Sequence, residues 1–448
     1  MLRLIPRYLE RLNPSQDRTR IMLTNLGISP DTVDDLHGHA VVIRAGTSAD
    51  SARVLVASQL VDLLVRLQPL VGAVYLDSRD PHAILGDLGE RFPLEVQATD
   101  TTEDVSLAVG VGIRSESCDM VVDGAGWCLS VGDTCEVIGD GNPVGPMAAA
   151  EIGAGEAFKF LFRDAHPDDK LAKRFEFQHG QFSLWDYSTT LSSPALHPID
   201  LDAILVGAGG VGAGVITTLS ALGDHLRGRL VVVDQDRLDI YNLNRVTYAR
   251  VAEADGEELK VFSAKEYMSG RVRHCDVVGE AETYRTFARR TPFRRDRKYP
   301  LVMTGLDKDE ARWEVQRDLP RVLIDGATGL HGNCRVDKVR FGFAGCIGCS
   351  RPPRLAGPQD PAECDQPPAP LAPSISFLSG FTGTVMAGEA MKVALGAVGL
   401  EGYFEHIFTY PLNADLTGLP GFHPQCAVAC QDPLVLQAYQ AKWDGDLQ

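Results

Sequence analysis

A glycine-rich segment near the middle of the chain constrains the fold more than any other feature. Its five glycines are Gly207, Gly209, Gly210, Gly212 and Gly214. The apolar run Ala203–Val206 precedes them and a run of small residues, Val215–Leu222, follows, which predicts a strand, a tight turn and a helix. Glycines let the backbone approach a phosphate, and a helix N-terminus offers free N–H groups and a positive dipole end. The segment therefore predicts a nucleotide-binding βαβ unit.

Polar residues after the next apolar run, Leu230–Val233, indicate the kind of nucleotide. Asp234 ends this predicted strand and can accept a hydrogen bond from a ribose hydroxyl. The polar residues beyond it are Asp236, Asn242, Asn244, Arg245 and Lys260. Cations and amides placed just past the ribose contact suit a triphosphate better than a nicotinamide.

Asp307 adds a candidate metal ligand. It follows the apolar run Leu301–Met303, so it is predicted to lie at the carboxyl end of a strand and to face the same crevice. Proteins hold Mg²⁺ by one or two carboxylates together with substrate phosphates. Asp307 is therefore the predicted Mg²⁺ ligand.

Taken in order, these motifs resemble the ThiF/MoeB and ubiquitin-activating-enzyme superfamily over roughly residues 200–432. Its adenylation domain carries a GxGGxG turn, a DxD pair, an NLxR motif, a lysine and a later D-N-x-x-x-R motif. The matching residues are Gly207–Gly212, Asp234 with Asp236, Asn242 with Arg245, Lys260, and Asp307 with Arg312. Val246 and Lys308 depart from the usual Gln and Asn, and neither change removes a charge that the chemistry needs. The resemblance implies MgATP on the glycine turn, with Asn242, Arg245 and Lys260 around the β- and γ-phosphates.

Two short-spaced cysteine pairs predict a metal site. They are Cys346 with Cys349, and Cys426 with Cys430. Four thiolates can close one tetrahedral zinc site without an open position, so this zinc would be structural. The resemblance favours zinc, because many superfamily members carry a four-cysteine zinc in these places; the alternative is that the cysteines are buried and unrelated. The charged start of the chain, Met1–Arg7, does not look like a signal peptide, and we expect a cytoplasmic protein.

Cys364 stands alone in a proline-rich segment, residues 351–374, which predicts a long surface loop. In the superfamily this region crosses over the adenylate, and some members use a cysteine there to take the activated acyl group as a thioester. Thiolate chemistry suits such a step, so Cys364 is the candidate nucleophile. The alternative is an incidental exposed cysteine.

The N-terminal part repeats features of the C-terminal part without its site motifs. Val122–Ala125 parallels Ile324–Ala327, and Ala154–Lys159 parallels Ala387–Lys392. Residues Val41–Gly46 stand where the first glycine turn would be, without its glycines. These matches predict an α/β protein with two Rossmann-like domains in a pseudo-dimer, unless they are chance likenesses of small-residue helices. The predicted parts are a degenerate adenylation-like domain (1–165), a linker (166–200) and the active domain with the crossover loop and zinc site (201–448).

This arrangement is similar to that of the activating enzymes that pair an inactive with an active adenylation domain, here in a single chain of a bacterial ubiquitin-activating type. The resemblance implies a ubiquitin-like protein with a C-terminal glycine as substrate and a conjugating enzyme as the next acceptor. Arg18 and Arg20 lie near the place of a phosphate-contacting arginine in the superfamily, one position out of register; a solvated basic face is the alternative. Further dimerisation stays open.

Composition excludes some classes of function. The formal net charge of −17 argues against binding to nucleic acid, which relies on Lys and Arg neutralising phosphates. There is no apolar run of 18 residues, so no membrane span is predicted. Three alternative functions are considered. The first is an adenylyltransferase that activates a sulfur-carrier protein, a peptide or a tRNA carboxylate; the others are a dehydrogenase and a scaffold without catalysis. Arg245, Lys260 and Asp307 speak against the last two.

Overall fold

The structure is a computed structural model of the 448-residue chain. It describes every residue except 12–17, 26–27, 30, 33–37, 47–49, 103, 115, 136–139, 291–300, 330–331, 342–344, 353–374, 398, 401, 412–420 and 444–448, and except the side chains of Arg18 and Asn25. In the described part the strands form two mixed sheets, each with several neighbouring parallel pairs, and α-helices alternate with the strands along the chain. The predicted α/β class is confirmed.

The first sheet has eight strands in the order β4-β1-β3-β2-β5-β6-β7-β8. Their bounds are β1 (Leu2–Pro6), β2 (His39–Ala45), β3 (Val71–Asp77), β4 (Leu94–Ala98), β5 (Val105–Val111), β6 (Met120–Ala125), β7 (Cys128–Val131) and β8 (Gly180–Ser183). The pairs β3/β2, β2/β5 and β5/β6 are parallel, and the remaining pairs are antiparallel.

The second sheet has seven strands in the order β11-β10-β9-β12-β13-β14-β15. Their bounds are β9 (Ile199–Val206), β10 (Leu226–Val233), β11 (His274–Glu280), β12 (Leu301–Thr304), β13 (Val322–Thr328), β14 (Asn333–Val339) and β15 (Gly402–Ile407). The first four neighbouring pairs are parallel, and β13/β14 and β14/β15 are antiparallel.

Six neighbouring strands follow the same plan in both sheets. The run β3-β2-β5-β6-β7-β8 matches β10-β9-β12-β13-β14-β15 in chain order and in parallel or antiparallel pairing. We call residues 1–183 the first half and residues 199–448 the second half. The segment 166–200, predicted as a linker, contains β8 of the first sheet. The domain boundaries stay a prediction.

Thirteen α-helices connect the strands within the described residues. They are α1 (Arg18–Asn25), α2 (Ser51–Val65), α3 (Pro81–Leu85), α4 (Leu88–Arg91), α5 (Val144–Ala165), α6 (Gly210–Ser220), α7 (Val251–Asp255), α8 (Lys260–Ser269), α9 (Tyr284–Arg290), α10 (Asp309–Arg317), α11 (Ile347–Ser350), α12 (Ser376–Ala394) and α13 (Pro433–Trp443). No helix in these described ranges is both long and apolar enough to cross a membrane.

The central strands are apolar because they are covered on both faces. The last four residues of β9 are all buried, as are the last four of β10. A strand in the interior of a parallel sheet loses the alternation of apolar and polar residues for this reason. Because β9 pairs in parallel with β10 and β12, the carboxyl ends of these three strands meet at one edge of the second sheet. The predicted site residues follow these ends.

Two long buried helices, α5 and α12, join the halves. The Thr384 hydroxyl donates a hydrogen bond to Glu151 across the contact at 2.9 Å, and the rings of Phe158 and Phe377 lie 5.9 Å apart. Helix α12 also packs closely on α6: a Cβ on Gly214 would lie 2.5 Å from the carbonyl oxygen of Gly380. One continuous apolar core therefore spans both sheets.

Candidate functional site

The glycine turn is shorter and the following helix longer than predicted. Helix α6 begins at Gly210 and ends at Ser220, so the prediction of a helix over Val215–Leu222 is wrong at both ends. The helix starts earlier because its first turn packs closely on the glycine turn. A Cβ on Gly212 would lie 2.1 Å from the carbonyl oxygen of Gly207, so only glycine fits at this helical position.

Gly207 and Gly209 differ in what surrounds them. Gly207 has a φ of +95°, in the region that favours glycine, and a Cβ there would lie 2.6 Å from the carbonyl oxygen of Gly305. A Cβ on Gly209 would meet no atom within 4 Å. Gly209 is the N-cap of α6, whose first N–H groups have no partner inside the helix. The open space therefore lies at the end of the helix that attracts anions.

Asp234 braces the turn from the neighbouring strand. The Ala208 N–H donates to its Oδ2 at 2.7 Å, and the Asp236 N–H donates to its Oδ1 at 2.8 Å. Burial raises the pKa of Asp234, and the nearby Lys260 ammonium group together with these N–H groups opposes part of the effect. The acid that was predicted to contact a ribose therefore also holds the shape of the glycine turn.

Lys260 and Asp236 form an ion pair at the same edge of the sheet. The Lys260 Nζ lies 2.8 Å from Asp236 Oδ2, and the Lys260 N–H donates to the Asp236 carbonyl oxygen at 3.0 Å. The side chain of Lys260 is 11% exposed and that of Asp236 is 58% exposed. A nearly buried cation whose partner lies in solvent can exchange that partner for another anion.

The segment between β10 and α7 carries the two predicted amides and Arg245. The Asn242 Oδ1 accepts a hydrogen bond from the Asp239 N–H at 3.2 Å and so caps a short 3₁₀ turn. The half-buried Arg245 donates to the Asn244 side-chain oxygen at 3.2 Å and to the Tyr241 carbonyl at 3.1 Å. Asn242 and Asn244 are both buried, so their amides shape the segment from within.

Asp307 and Arg312 have different surroundings. Asp307 is exposed in the loop that follows β12. Arg312 is buried, with hydrogen bonds from Nη1 to both carboxylate oxygens of Asp325 and from Nη2 to the Leu306 carbonyl. Arg312 therefore holds the loop that presents Asp307.

The four paired cysteines come together beside α10. The Sγ atoms of Cys346 and Cys426 are 3.3 Å apart, those of Cys349 and Cys430 are 3.4 Å apart, and all four lie within 4.8 Å of one another. Three of the residues are buried, and the fourth, Cys426, is half-buried. This cluster could hold a metal ion, and four thiolates in a closed group are the donor set of structural zinc sites.

Two predictions reach beyond the described part of the chain. Cys364 lies outside the described residues, as does most of the predicted crossover loop, 351–374. The side chain of Arg18 is also outside them, while Arg20 is half-buried in α1. The roles predicted for these residues stay predictions.

Comparison with known protein families decides the wider grouping. The family described as ThiF matches residues 200–428, which include the glycine turn, Asp234, the 242–245 segment and all but one of the four clustered cysteines. The chain belongs to the ThiF family. The matched region begins in β9 and covers the second half as far as residue 428.

Curated proteins similar to this ThiF-family chain carry several different names. The uncharacterized protein y4jF of Sinorhizobium fredii is 27% identical over 60% of this chain and 52% of its own length. The sulfur carrier protein adenylyltransferase of Thermus thermophilus is 30% identical over 43% and 69%. The Nedd8-activating enzyme E1 catalytic subunit of Drosophila melanogaster is 29% identical over 33% and 34%. The chain thus spans about half the length of y4jF and a third of the fly protein.

Among solved structures, that of E. coli MccB with AMPCPP and MccA is similar at 16% identity, with a TM-score of 0.39 over 50% of this chain and 66% of that chain.

Sequence reasoning missed a contact that belongs to the ThiF-family half. The buried hydroxyl of Tyr248 donates to the Ala208 carbonyl oxygen in the glycine turn at 2.7 Å. Burial, with the nearby Asp234 and Glu253, holds its pKa well above the ordinary value, so it stays a neutral donor. This tyrosine, three residues after Arg245, belongs to no motif or periodic pattern in the sequence, so nothing there indicated the contact.

Proposed function

We propose that this chain is an ATP-dependent adenylyltransferase that activates the C-terminal carboxylate of a ubiquitin-like protein. ThiF-family membership supports the adenylyltransferase chemistry. The choice of a ubiquitin-like substrate rests on the two-sheet arrangement and on the similarity to a Nedd8-activating enzyme subunit. The substrate would end in glycine, as the resemblance to the ubiquitin-activating enzymes implies.

The open space over Gly209 is the observation that carries the proposal. Gly207, Gly212 and Gly214 are packed against backbone atoms, so the fold itself requires glycine at these three positions. Gly209 has no such neighbour, although it stands at the N-terminus of a buried eleven-residue helix. A triphosphate placed there would meet the helix dipole and could take Lys260 from Asp236.

The reaction would run in one displacement at the α-phosphorus. An oxygen of the carrier's C-terminal carboxylate attacks that phosphorus, the bond to the bridging β-phosphate oxygen breaks, and pyrophosphate leaves with the electron pair. Asp234 would hold the ribose, while Asn242, Arg245 and Lys260 lie around the β- and γ-phosphates. Positioning and charge stabilisation supply most of the catalysis in such a step.

Asp307 fits the role of Mg²⁺ ligand, because an exposed carboxylate at the carboxyl end of β12 can share a metal with phosphates. When bound, Mg²⁺ would neutralise phosphate charge. Arg312, through its bonds to Asp325 and to the Leu306 carbonyl, would keep the Asp307 loop in place.

Cys364 would then take the acyl group. Its thiolate attacks the carbonyl carbon of the acyl-adenylate, the bond to the phosphate oxygen breaks, and AMP leaves. The resulting thioester would pass to a cysteine of a conjugating enzyme. Zinc held by Cys346, Cys349, Cys426 and Cys430 would have a structural role, since four protein ligands leave no open position.

The first half would be a degenerate copy of the second in an intramolecular pseudo-dimer. The six strands that share one plan support this proposal. Asp123, the counterpart of Asp325, accepts a hydrogen bond from Arg53 at 3.2 Å. Arg53 also lies over Gly112 at the end of β5, since a Cβ there would be 2.1 Å from its Nε. In the second half the end of β12 faces the glycine turn instead.

A second candidate is an adenylyltransferase that works without a thioester, on a sulfur-carrier protein or a peptide. The Thermus relative, 30% identical over 69% of its own length, favours it. In that case Cys364 would be dispensable.

The two candidates separate in one experiment. The chain is incubated with ATP, Mg²⁺ and a panel of purified ubiquitin-like proteins that end in glycine, and the products are separated on a non-reducing gel while pyrophosphate is measured. The first candidate predicts an adduct that reducing agent removes and that Cys364→Ala lacks, with Cys118→Ala, a half-buried cysteine of the first half, as the matched control. Pyrophosphate release without an adduct would support the second candidate and overturn the first.

A further inference from the structure

Three charged side chains of the first half lie buried against the second half. Asp62 is in the last turn of α2, Arg66 is the C-cap of that helix, and Arg91 ends α4. They are 2%, 1% and 7% exposed. The Arg66 Nε donates to Asp62 Oδ1 at 2.5 Å, and the Arg91 Nη1 donates to Asp62 Oδ2. One carboxylate thus orients two guanidinium groups.

Both arginines reach main-chain carbonyls in the segment that carries Arg245. The Arg66 Nη1 donates to the Leu243 carbonyl, and the Arg91 Nη1 donates to the Thr247 carbonyl at 2.7 Å. These two carbonyls lie two residues before and two residues after Arg245. The first half therefore holds the backbone on both sides of Arg245.

The same cluster extends to the helix that begins at Lys260. The Arg91 Nε donates to Asp87 Oδ1 at 2.8 Å, and Arg271 of the second half donates to Asp87 Oδ2 at 2.7 Å. Arg271 lies just beyond the end of α8, whose first residue is Lys260. Arg91 is thus linked to both segments that carry predicted phosphate ligands.

Arginine is the side chain that such a junction requires. Its planar guanidinium presents several N–H donors in a fixed arrangement, so it can bind two carboxylates and a carbonyl at once, whereas an ammonium group is a single point charge. Arg91 binds Asp62, Asp87 and the Thr247 carbonyl in this way. These partners fix the orientation of the Arg91 guanidinium group and compensate its charge.

We propose that Arg66 and Arg91 are positioning residues that hold the 242–247 segment so that Arg245 meets the β- and γ-phosphates of ATP. The inference rests on the proposed function of the site. It gives the first half a direct part in the nucleotide site of the second half, through backbone contacts and without touching the nucleotide.

Calorimetric titration with ATP and, separately, with AMP tests the proposal, with Mg²⁺ in every sample. The variants are Arg91→Gln, Arg245→Ala and the combination of both. Arg11→Gln is the matched control, since Arg11 forms an ion pair between the two halves with Asp255. Among the described residues, Arg11 makes no hydrogen bond or ion pair with the 242–247 segment. Arg91→Gln should weaken ATP binding roughly tenfold, the loss expected when Arg245 no longer makes one charge-assisted hydrogen bond to the phosphates. AMP binding should change less than about twofold.

A double-mutant comparison separates positioning from general loosening. If Arg91 acts through Arg245, the combined variant should bind ATP about as weakly as Arg245→Ala alone. Parallel losses of ATP and AMP binding, or a combined loss equal to the sum of the single losses, would overturn the inference. Should Arg91→Gln fail to fold, Arg91→Lys keeps the charge but cannot span all three partners, and the same ATP-selective loss is expected.

The outcomes also separate this inference from the proposed function. A wild-type chain that binds neither nucleotide contradicts the proposed function and the inference with it. ATP binding that depends on Arg245 and is unchanged in Arg91→Gln contradicts the inference alone.

Discussion

Lys260 and Asp236 hold each other at the carboxyl edge of the second sheet, with the Lys260 Nζ 2.8 Å from Asp236 Oδ2. The lysine side chain is 11% exposed and the aspartate side chain 58% exposed. The pair keeps a buried cation compensated and leaves its partner able to turn to solvent. Such a pair suits a site in which a phosphate replaces the carboxylate.

Replacing Lys260 by Ala should therefore weaken ATP binding by roughly tenfold or more, because one charge-assisted hydrogen bond is lost and Asp236 is left to repel the phosphates. Titration with MgATP measures the change. Lys265→Ala, on an exposed position of the same helix, should bind ATP like the wild type. Equal weakening in both variants would show that the effect is one of net charge alone.

Two glycines of the nucleotide segment should respond differently to Ala. Gly212→Ala would bring a Cβ to 2.1 Å from the Gly207 carbonyl oxygen, so we expect a loss of stability of several kcal/mol, as for other overpacked positions. Gly209→Ala meets no atom within 4 Å and should change the free energy of unfolding by less than about 1 kcal/mol.

Gly209→Ala should nevertheless weaken ATP binding, because its methyl group would project into the space left for the phosphate. Urea unfolding and MgATP titration of both variants check the two effects. Unchanged ATP affinity in a folded Gly209→Ala variant would mean that the nucleotide does not approach this face of the turn.

The sequence predicted the elements of the site well because their signals are local. A strand, glycines and a small-residue helix follow one another between Ala203 and Leu222, and the structure has β9 and α6 there. The boundary of the helix was wrong because Gly212 is a helical residue that packs on the turn, and a glycine by itself does not show whether it serves a turn or a close approach.

The four cysteines give a prediction that needs no substrate. We expect one zinc ion per chain, because four Sγ atoms within 4.8 Å of one another match a tetrahedral thiolate site. Cys349→Ser should lower both the zinc content and the melting temperature. Cys334→Ser, a buried cysteine outside the cluster, should keep the zinc. Metal analysis of the purified chain that finds no zinc in the wild type would contradict the assignment.

The buried Glu151 predicts a dependence of stability on pH. Burial raises its pKa well above 4.5, and the Thr384 hydroxyl opposes part of this effect. Above pH 4.5 the unfolded chain has released the proton that the folded chain keeps, so stability contributed by this group falls as the pH rises towards the folded pKa. Glu151→Gln should remove that slope, which is on the order of 1 kcal/mol per pH unit for one proton.

Urea unfolding between pH 5 and 8 measures the slope, taken as the difference between variant and wild type so that the contributions of the neighbouring Glu156 and His406 cancel. Glu310→Gln, at an exposed position of α10, is the control for loss of a carboxylate. A slope that is unchanged in Glu151→Gln would show that Glu151 is ionised in the folded chain.

The contacts between the halves could not be read from the sequence. Arg66 caps the apolar helix α2 and Arg91 ends the short helix α4, both in a part of the chain without site motifs. Their partners Leu243 and Thr247 are more than 150 residues away. Their contacts are to main-chain carbonyls, which any residue type provides, so no pair of side chains marks them. Long-range packing determined these positions, whereas local patterns determined the glycine turn.

Exchange of labelled pyrophosphate into ATP tests the central claim most directly, with Mg²⁺ and ubiquitin-like proteins that end in glycine. Adenylation of a carboxylate predicts exchange that requires the free C-terminus of the carrier, that stops when this terminus is amidated, and that is lost in Asp307→Ala. A chain that binds NAD in place of ATP, or exchange that persists with an amidated carrier or with Asp307→Ala, would contradict the account.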